Sequence, residues 1–139
     1  MFIAEMNNPL HITIISDDKS GLAEIMSGYL RFYGNHNISI SLKTETTVIH
    51  PLAEQVLKED GIDAWGAHAV IPKSHQQLKV YLNTKHSDNN SVSSHRHYHF
   101  EDPLQFDAYD KILATFRKTR EAIKKATIEL VGEIVVQKD

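Results

Sequence analysis

The chain has 139 residues, 41% of them apolar and 24% charged, with a formal net charge of −3 and no cysteine. That length suits one domain, 1–139, with a full core and no need of disulfide staples. The acidic balance argues against a general nucleic-acid or membrane-surface binder, and the missing thiols remove disulfides, thiolate nucleophiles and thiolate metal sites together. No apolar run reaches the length of a spanning helix, and the first residues lack the basic-then-apolar order of a secretion signal. A cytoplasmic protein is the expectation.

Residues 1–9 are weakly patterned and read as a lead-in. His11 to Ile15 is a short run of β-branched residues, as in a strand buried on both faces. After it, Ser20 can cap a helix in which Leu22, Ile25, Met26, Tyr29 and Tyr33 recur at helical spacing, ended by Gly34-Asn35. Ile38 to Thr44 alternates Ile-Ser-Ile-Ser-Leu, a second strand with one polar face. His50-Pro51 opens a second helix that turns Leu52, Val56 and Leu57 inward and stops at Gly61.

Residues 62–74 form a connection containing Trp65, Val70 and Ile71, read as core or as a surface for a partner, with a short helical turn expected at 74–77. Leu78 to Leu82 is a third strand. Lys85 to His95 is polar, rich in Ser and Asn, and the most loop-like stretch. His97 to Phe100 is a fourth strand leading to Glu101-Asp102-Pro103. From Phe106 onward, Tyr109, Ile112, Leu113, Phe116, Ile123 and Leu130 mark a long amphipathic helix reaching Val135. Its Lys111, Arg117, Lys118, Arg120, Lys124 and Lys125 read as a solvated face.

Alternating strands and helices call for a parallel sheet with right-handed crossovers. All the β-to-α loops then lie at one edge, where Ser16–Ser20, Asn83–Thr84 and Asp102–Pro103 should meet. In such folds ligands are held at the carboxyl ends of the strands and the amino ends of the helices. The loop after the first strand, Ser16-Asp17-Asp18-Lys19-Ser20, is unusual there because it carries two acids and no glycine before Gly21.

Three segments resemble the low-molecular-weight protein tyrosine phosphatases and, within that superfamily, the thioredoxin-coupled arsenate reductases. Lys19-Ser20-Gly21-Leu22-Ala23-Glu24 is similar to the family's Arg-Ser followed by Met-Ala-Glu. His50-Pro51-Leu52-Ala53 through Gly61-Ile62-Asp63 is similar to its Pro-x-Ala and Gly-Ile-Asp segment. His97 to Pro103, followed by Phe116-Arg117-Lys118-Thr119-Arg120-Glu121-Ala122-Ile123, resembles the reductases' Asp-Asp-Pro and the helix after it. The resemblance implies a flavodoxin-like three-layer α/β fold with a four-stranded parallel sheet and helices on both faces.

It also exposes what has changed. The family's phosphate loop is Cys, five residues, Arg, Ser. Here only Asp17 and Asp18 separate Ser16, in the place of the thiolate, from Lys19-Ser20. The reductases' further cysteine falls at or near Asn83, so thiol-coupled reduction is excluded. Asp102 takes the place of the family's general acid, or is a turn cap before Pro103.

Ser16, Asp17, Asp18, Lys19, Ser20, Asn83 and Asp102 therefore outline the expected pocket, with Ser16, Lys19 and Asp102 as vestigial catalytic candidates. A serine hydroxyl without a paired base is a poor nucleophile, and carboxylates in an oxyanion site repel a dianion. The leading reading is a non-catalytic binding or regulatory module for a protein partner or a small anion, with no cofactor implied. The alternative is a hydrolase of altered mechanism, using Ser16 with Asp102 or a divalent metal held by Asp17, Asp18 and Asp102. His95, His97 and His99 alternate, and on a strand they would share one face, a spacing that suits Zn²⁺ or Ni²⁺. Nothing in the sequence sets an oligomeric state.

Overall fold

A computed structural model of the chain describes residues 10–34, 38–44, 49–63, 76–84 and 95–137. Strands β1 (Leu10–Ser16), β2 (Ile38–Lys43), β3 (Gln76–Asn83) and β4 (His95–His99) form one sheet in the order β2-β1-β3-β4, with every pairing parallel. Helices α1 (Leu22–Tyr33), α2 (Pro51–Glu59) and α3 (Tyr109–Gln137) alternate with them. This is the four-stranded parallel α/β fold that the sequence implied. No described helix is long and apolar enough to cross a membrane.

Strand side chains alternate between faces, so the register fixes what each face presents. On one face Ile12 pairs with Ile40 and Leu78, and Ile14 with Leu42 and Val80. These residues join Leu22, Ile25, Met26, Tyr29, Phe116, Ile123 and Leu130 of the helices in a single core. Arg96, on the same face of β4, reaches Glu133 of α3 at 3.8 Å. The helices pack on one another as well: a Cβ at Gly28 in α1 would stand 2.9 Å from Ile62, just beyond α2.

The other face is polar. Buried His11 sets Nδ1 2.6 Å from the Ser39 hydroxyl and Nε2 2.9 Å from that of Ser41, and Thr13 adds a 3.3 Å bond to Ser41. Beyond them Tyr81 stacks on His97, its partner in register, with ring centroids 4.7 Å apart and planes 8° from parallel. The sequence reading of β1 as buried is met, but its second face is held by hydroxyl and imidazole bonds and not by aliphatic packing alone. The last part of the β2-to-β3 crossover, 64–75, lies outside the described residues, and with it Trp65, Val70 and Ile71. So does most of the expected loop, 85–94.

Several boundaries move. β1 and β3 are longer than the periodicity implied, and residues 76 and 77 of the expected helical turn belong to β3. His95 belongs to β4, paired with Lys79, and not to the preceding loop. The final helix begins at Tyr109, because Pro103–Gln105 first makes a 3₁₀ turn. The expected solvated face of that helix is partly a clamp. Arg120 donates to the Val56 carbonyl at 3.0 Å and to Glu59 at 2.9 Å, Arg117 grips Glu59 through two nitrogens at 3.1 and 2.6 Å, and Lys124 meets Asp60 at 3.1 Å. These bonds tie the C-terminal turn of α2 to α3. The Arg117 guanidinium, with Arg120, lowers the Glu59 carboxyl to about 2.

Candidate functional site

The strand–loop–helix junction is built around one carboxylate. Asp18 is buried at the mouth of α1, and its Oδ2 accepts the backbone N–H of Ser20 at 2.8 Å, of Gly21 at 3.0 Å and of Leu22 at 3.3 Å. The Ser20 hydroxyl donates to the same oxygen, and the Ser16 hydroxyl donates to Oδ1. Successive N–H groups at a helix start carry partial positive charge and form a concavity suited to an oxyanion. Here the oxyanion is part of the chain.

This arrangement corrects the expectation that Ser20 caps the helix. The N-cap residue is Gly21, which makes no side-chain cap bond. One oxygen of the Asp18 carboxylate accepts three backbone N–H groups at the helix start, whereas a serine hydroxyl at the cap satisfies one. The geometry also needs Gly21 itself. Its φ of +97° lies in the left-handed region, and a Cβ there would stand 3.1 Å from Ile49 and 3.2 Å from Ala53. The close seat of α2 on the loop and the turn of the loop thus demand the same residue.

The two acids, equivalent in the sequence, have separate tasks. Asp17 points out and its Oδ1 accepts both the N–H and the hydroxyl of Thr84, each at 3.1 Å. Its own N–H donates to the Leu82 carbonyl at 3.4 Å. The expected meeting of Ser16–Ser20 with Asn83–Thr84 is therefore present, through a partner, Thr84, that only the topology could indicate. Lys19 is exposed beside them. The Asn83 carbonyl accepts the Phe100 N–H at 2.9 Å, which joins the end of β3 to the segment leading to Asp102.

Asp102 caps its own 3₁₀ turn, with Oδ1 accepting the Leu104 N–H at 3.0 Å. That is the local role Asp takes before Pro. Among the described residues no group of three His, Asp or Glu side chains could hold a metal ion. Asp18 is engaged by backbone N–H groups and Asp17 by Thr84, while His97 is stacked on Tyr81 and His95 meets the same ring edge-on at 5.9 Å.

A parallel sheet in the order β2-β1-β3-β4, a loop cradling an anion at the first helix and a long final helix define a class: α/β proteins of the low-molecular-weight phosphatase and arsenate reductase fold. Solved structures similar to this chain fall there. An arsenate reductase in its phosphate-binding state is 18% identical, covers 89% of this chain and 98% of its own, and superposes with a TM-score of 0.67. The YwlE arginine phosphatase from Geobacillus stearothermophilus is 12% identical over 94% of this chain and 96% of its own, with a TM-score of 0.66. The arsenate reductase from Archaeoglobus fulgidus DSM 4304 is 13% identical over 87% and 98%, at 0.63. No protein-family model matches the sequence, and no curated protein does. The chain has the fold of this superfamily and contains no cysteine to act in it.

Proposed function

We propose that the chain is a divergent, non-catalytic member of this superfamily, acting as a binding or regulatory module. The observation that carries the reading is the Asp18 carboxylate seated on the N–H groups of Ser20, Gly21 and Leu22. An incoming phosphate would have to displace a tethered anion and would meet its charge. Ser16, in the nucleophile's place, donates its hydroxyl to that same carboxylate, and Asp102 is engaged in a turn. With no thiol in the chain, thiolate displacement and disulfide exchange have no atoms to act through.

The competing reading is a hydrolase working through Ser16 and Asp102 or through a carboxylate-bound divalent metal. Assay of an aryl phosphate with and without Mg²⁺ separates the two. The non-catalytic reading expects no turnover above background in either buffer. Turnover abolished by Ser16→Ala or Asp102→Asn would establish the hydrolase instead.

A further inference from the structure

Asp60-Gly61 is the one place in the sequence where an Asp or Asn precedes a glycine. In such a pair no side chain on the second residue hinders its nitrogen from reaching the Asp carboxyl carbon, and the two can close a five-membered succinimide ring. The pair forms the C-terminal turn of α2. Gly61 is exposed, with a φ of +75° and nothing within 4 Å of the place a Cβ would take.

Three features hold the reacting atoms apart, and reaction needs them in a near-attack arrangement. The Gly61 N–H donates to the Lys58 carbonyl and the Ile62 N–H to that of Leu57, each at 3.0 Å, the paired bonds that end a helix on a left-handed glycine. Asp60 has a ψ of 11°, whereas ring closure needs the Gly61 nitrogen to eclipse the Asp60 Cβ. The carboxylate is held from two other helices: Oδ2 accepts the Tyr29 hydroxyl at 2.7 Å and meets Lys124 Nζ at 3.1 Å. The Tyr29 bond, and after it Lys124 and Arg120, lower this carboxyl and keep it ionised, the poorer electrophile.

We propose that Asp60-Gly61 is a site of isoaspartate formation that the bonds from Tyr29 and Lys124 keep dormant, so that local opening of the α2–α3 joint sets its rate. In the step, the Gly61 nitrogen bonds to Asp60 Cγ, and its amide proton leaves with the carboxyl hydroxyl as water. Water then opens the ring at the former main-chain carbonyl, so that the backbone runs through Cβ and is longer by one methylene. The carboxylate now sits on Cα, displaced from Tyr29 and Lys124. Conversion thus removes the contacts that restrained it, a one-way loosening of the joint that is independent of what the cradle binds.

The test is incubation of the full chain at neutral pH and physiological temperature, beside a synthetic peptide of residues 59–73. Isoaspartate is read in the tryptic peptide 59–73 as a chromatographic shift without change of mass and by enzymatic methylation, and fragment ions separate Asp60 from Asp63. The folded chain should convert at Asp60 roughly a hundredfold more slowly than the peptide. Tyr29→Phe should raise that rate roughly tenfold, the factor that one bond to a charged acceptor is worth. Lys124→Met, at the surface, should raise it by less. Val80→Ala, which thins the core under the sheet, should leave it near the parent's, because local and global opening are separate events. Thermal melts check that each variant is folded during the incubation. Equal rates in the folded chain and the peptide, no acceleration in folded Tyr29→Phe and Lys124→Met, an equal acceleration in Val80→Ala, or conversion at Asp63 instead of Asp60 would each overturn the proposal.

Discussion

Asp18 Oδ2 accepts the backbone N–H of Ser20 at 2.8 Å, two residues along the same loop. That one bond, repeated to Gly21 and Leu22, decides what the junction can be. A helix start that in principle attracts an anion from solution is closed by an anion from its own sequence. The shortness of the loop makes this possible, because with only two residues between Ser16 and Lys19 the second of them is already at the helix mouth.

Removing that carboxylate has two opposed consequences. Asp18→Ala leaves three N–H groups and two hydroxyls to find other partners, and should cost about 2 to 3 kcal/mol of stability, read by urea denaturation. The same variant vacates the cradle. Millimolar phosphate should then raise its melting temperature, by mass action on the folded state, and leave the parent chain unmoved. Asp18→Asn keeps an acceptor but no charge and should fall between the two.

Gly21 and Gly28 are sensitive for different reasons. Gly21→Ala meets both the left-handed φ, which costs roughly 1 to 2 kcal/mol for a residue with a side chain, and the crowding of Ile49 and Ala53. Gly28→Ala has helical backbone but drives a methyl to 2.9 Å from Ile62, and about 1 to 3 kcal/mol is expected for such overpacking. Denaturation of both variants checks the assignment, with Gly28→Ala costing less in an Ile62→Ala background, which lacks the Cγ2 methyl in contact.

The α2–α3 clamp should make stability depend on acid. The Glu59 carboxyl, held by Arg117 and Arg120, lies at about 2 in the folded chain against 4.5 for the free side chain. A depressed folded value means that its contribution is complete above pH 4.5 and is lost as pH falls towards 2. Asp60 shifts in the same direction, chiefly through the Tyr29 hydroxyl bond and then through Lys124. Unfolding free energy measured against pH should therefore decline across that window, with a shallower slope in Glu59→Gln. At neutral pH Glu59→Ala should cost about 1 kcal/mol, the scale of a partly exposed ion pair.

Tyr29 gives an independent reading of the same joint. Its buried phenol donates to Asp60 at 2.7 Å, and burial holds the phenol protonated well above its ordinary range. Tyr29→Phe keeps the ring in the core and removes the bond to a charged acceptor, with an expected loss of about 1.5 to 3 kcal/mol. Asp60 should titrate higher in that variant, which NMR of its carboxyl follows directly.

The scaffold could be read from the sequence because its signals are local and repeat. Ile38 to Leu42 alternates with period two, Leu22 to Tyr33 follows a helical period, and Pro51 and Gly61 mark the limits of α2. The loop acids were also visible, together with the idea that they occupy an anion's place. Their division was not. Asp17 and Asp18 are adjacent and chemically identical, and only the turn at Gly21 and the arrival of Thr84 from β3 decide which faces inward. Arg120 and Lys124 misled for a similar reason: on a helix face rich in Lys, Arg and Glu, nothing local separates a solvated cation from one meeting the end of α2. The role of His11 likewise depends on Ser39 and Ser41, which lie 28 and 30 residues away in sequence.

The central claim is that Asp18 fills the oxyanion cradle. Titrating inorganic phosphate into isotope-labelled chain and following the backbone amides of Ser20, Gly21 and Leu22 tests it most directly. The account predicts no saturable shift in the parent chain and a saturable shift at all three amides in Asp18→Ala. A saturable shift at those amides in the parent chain would contradict it.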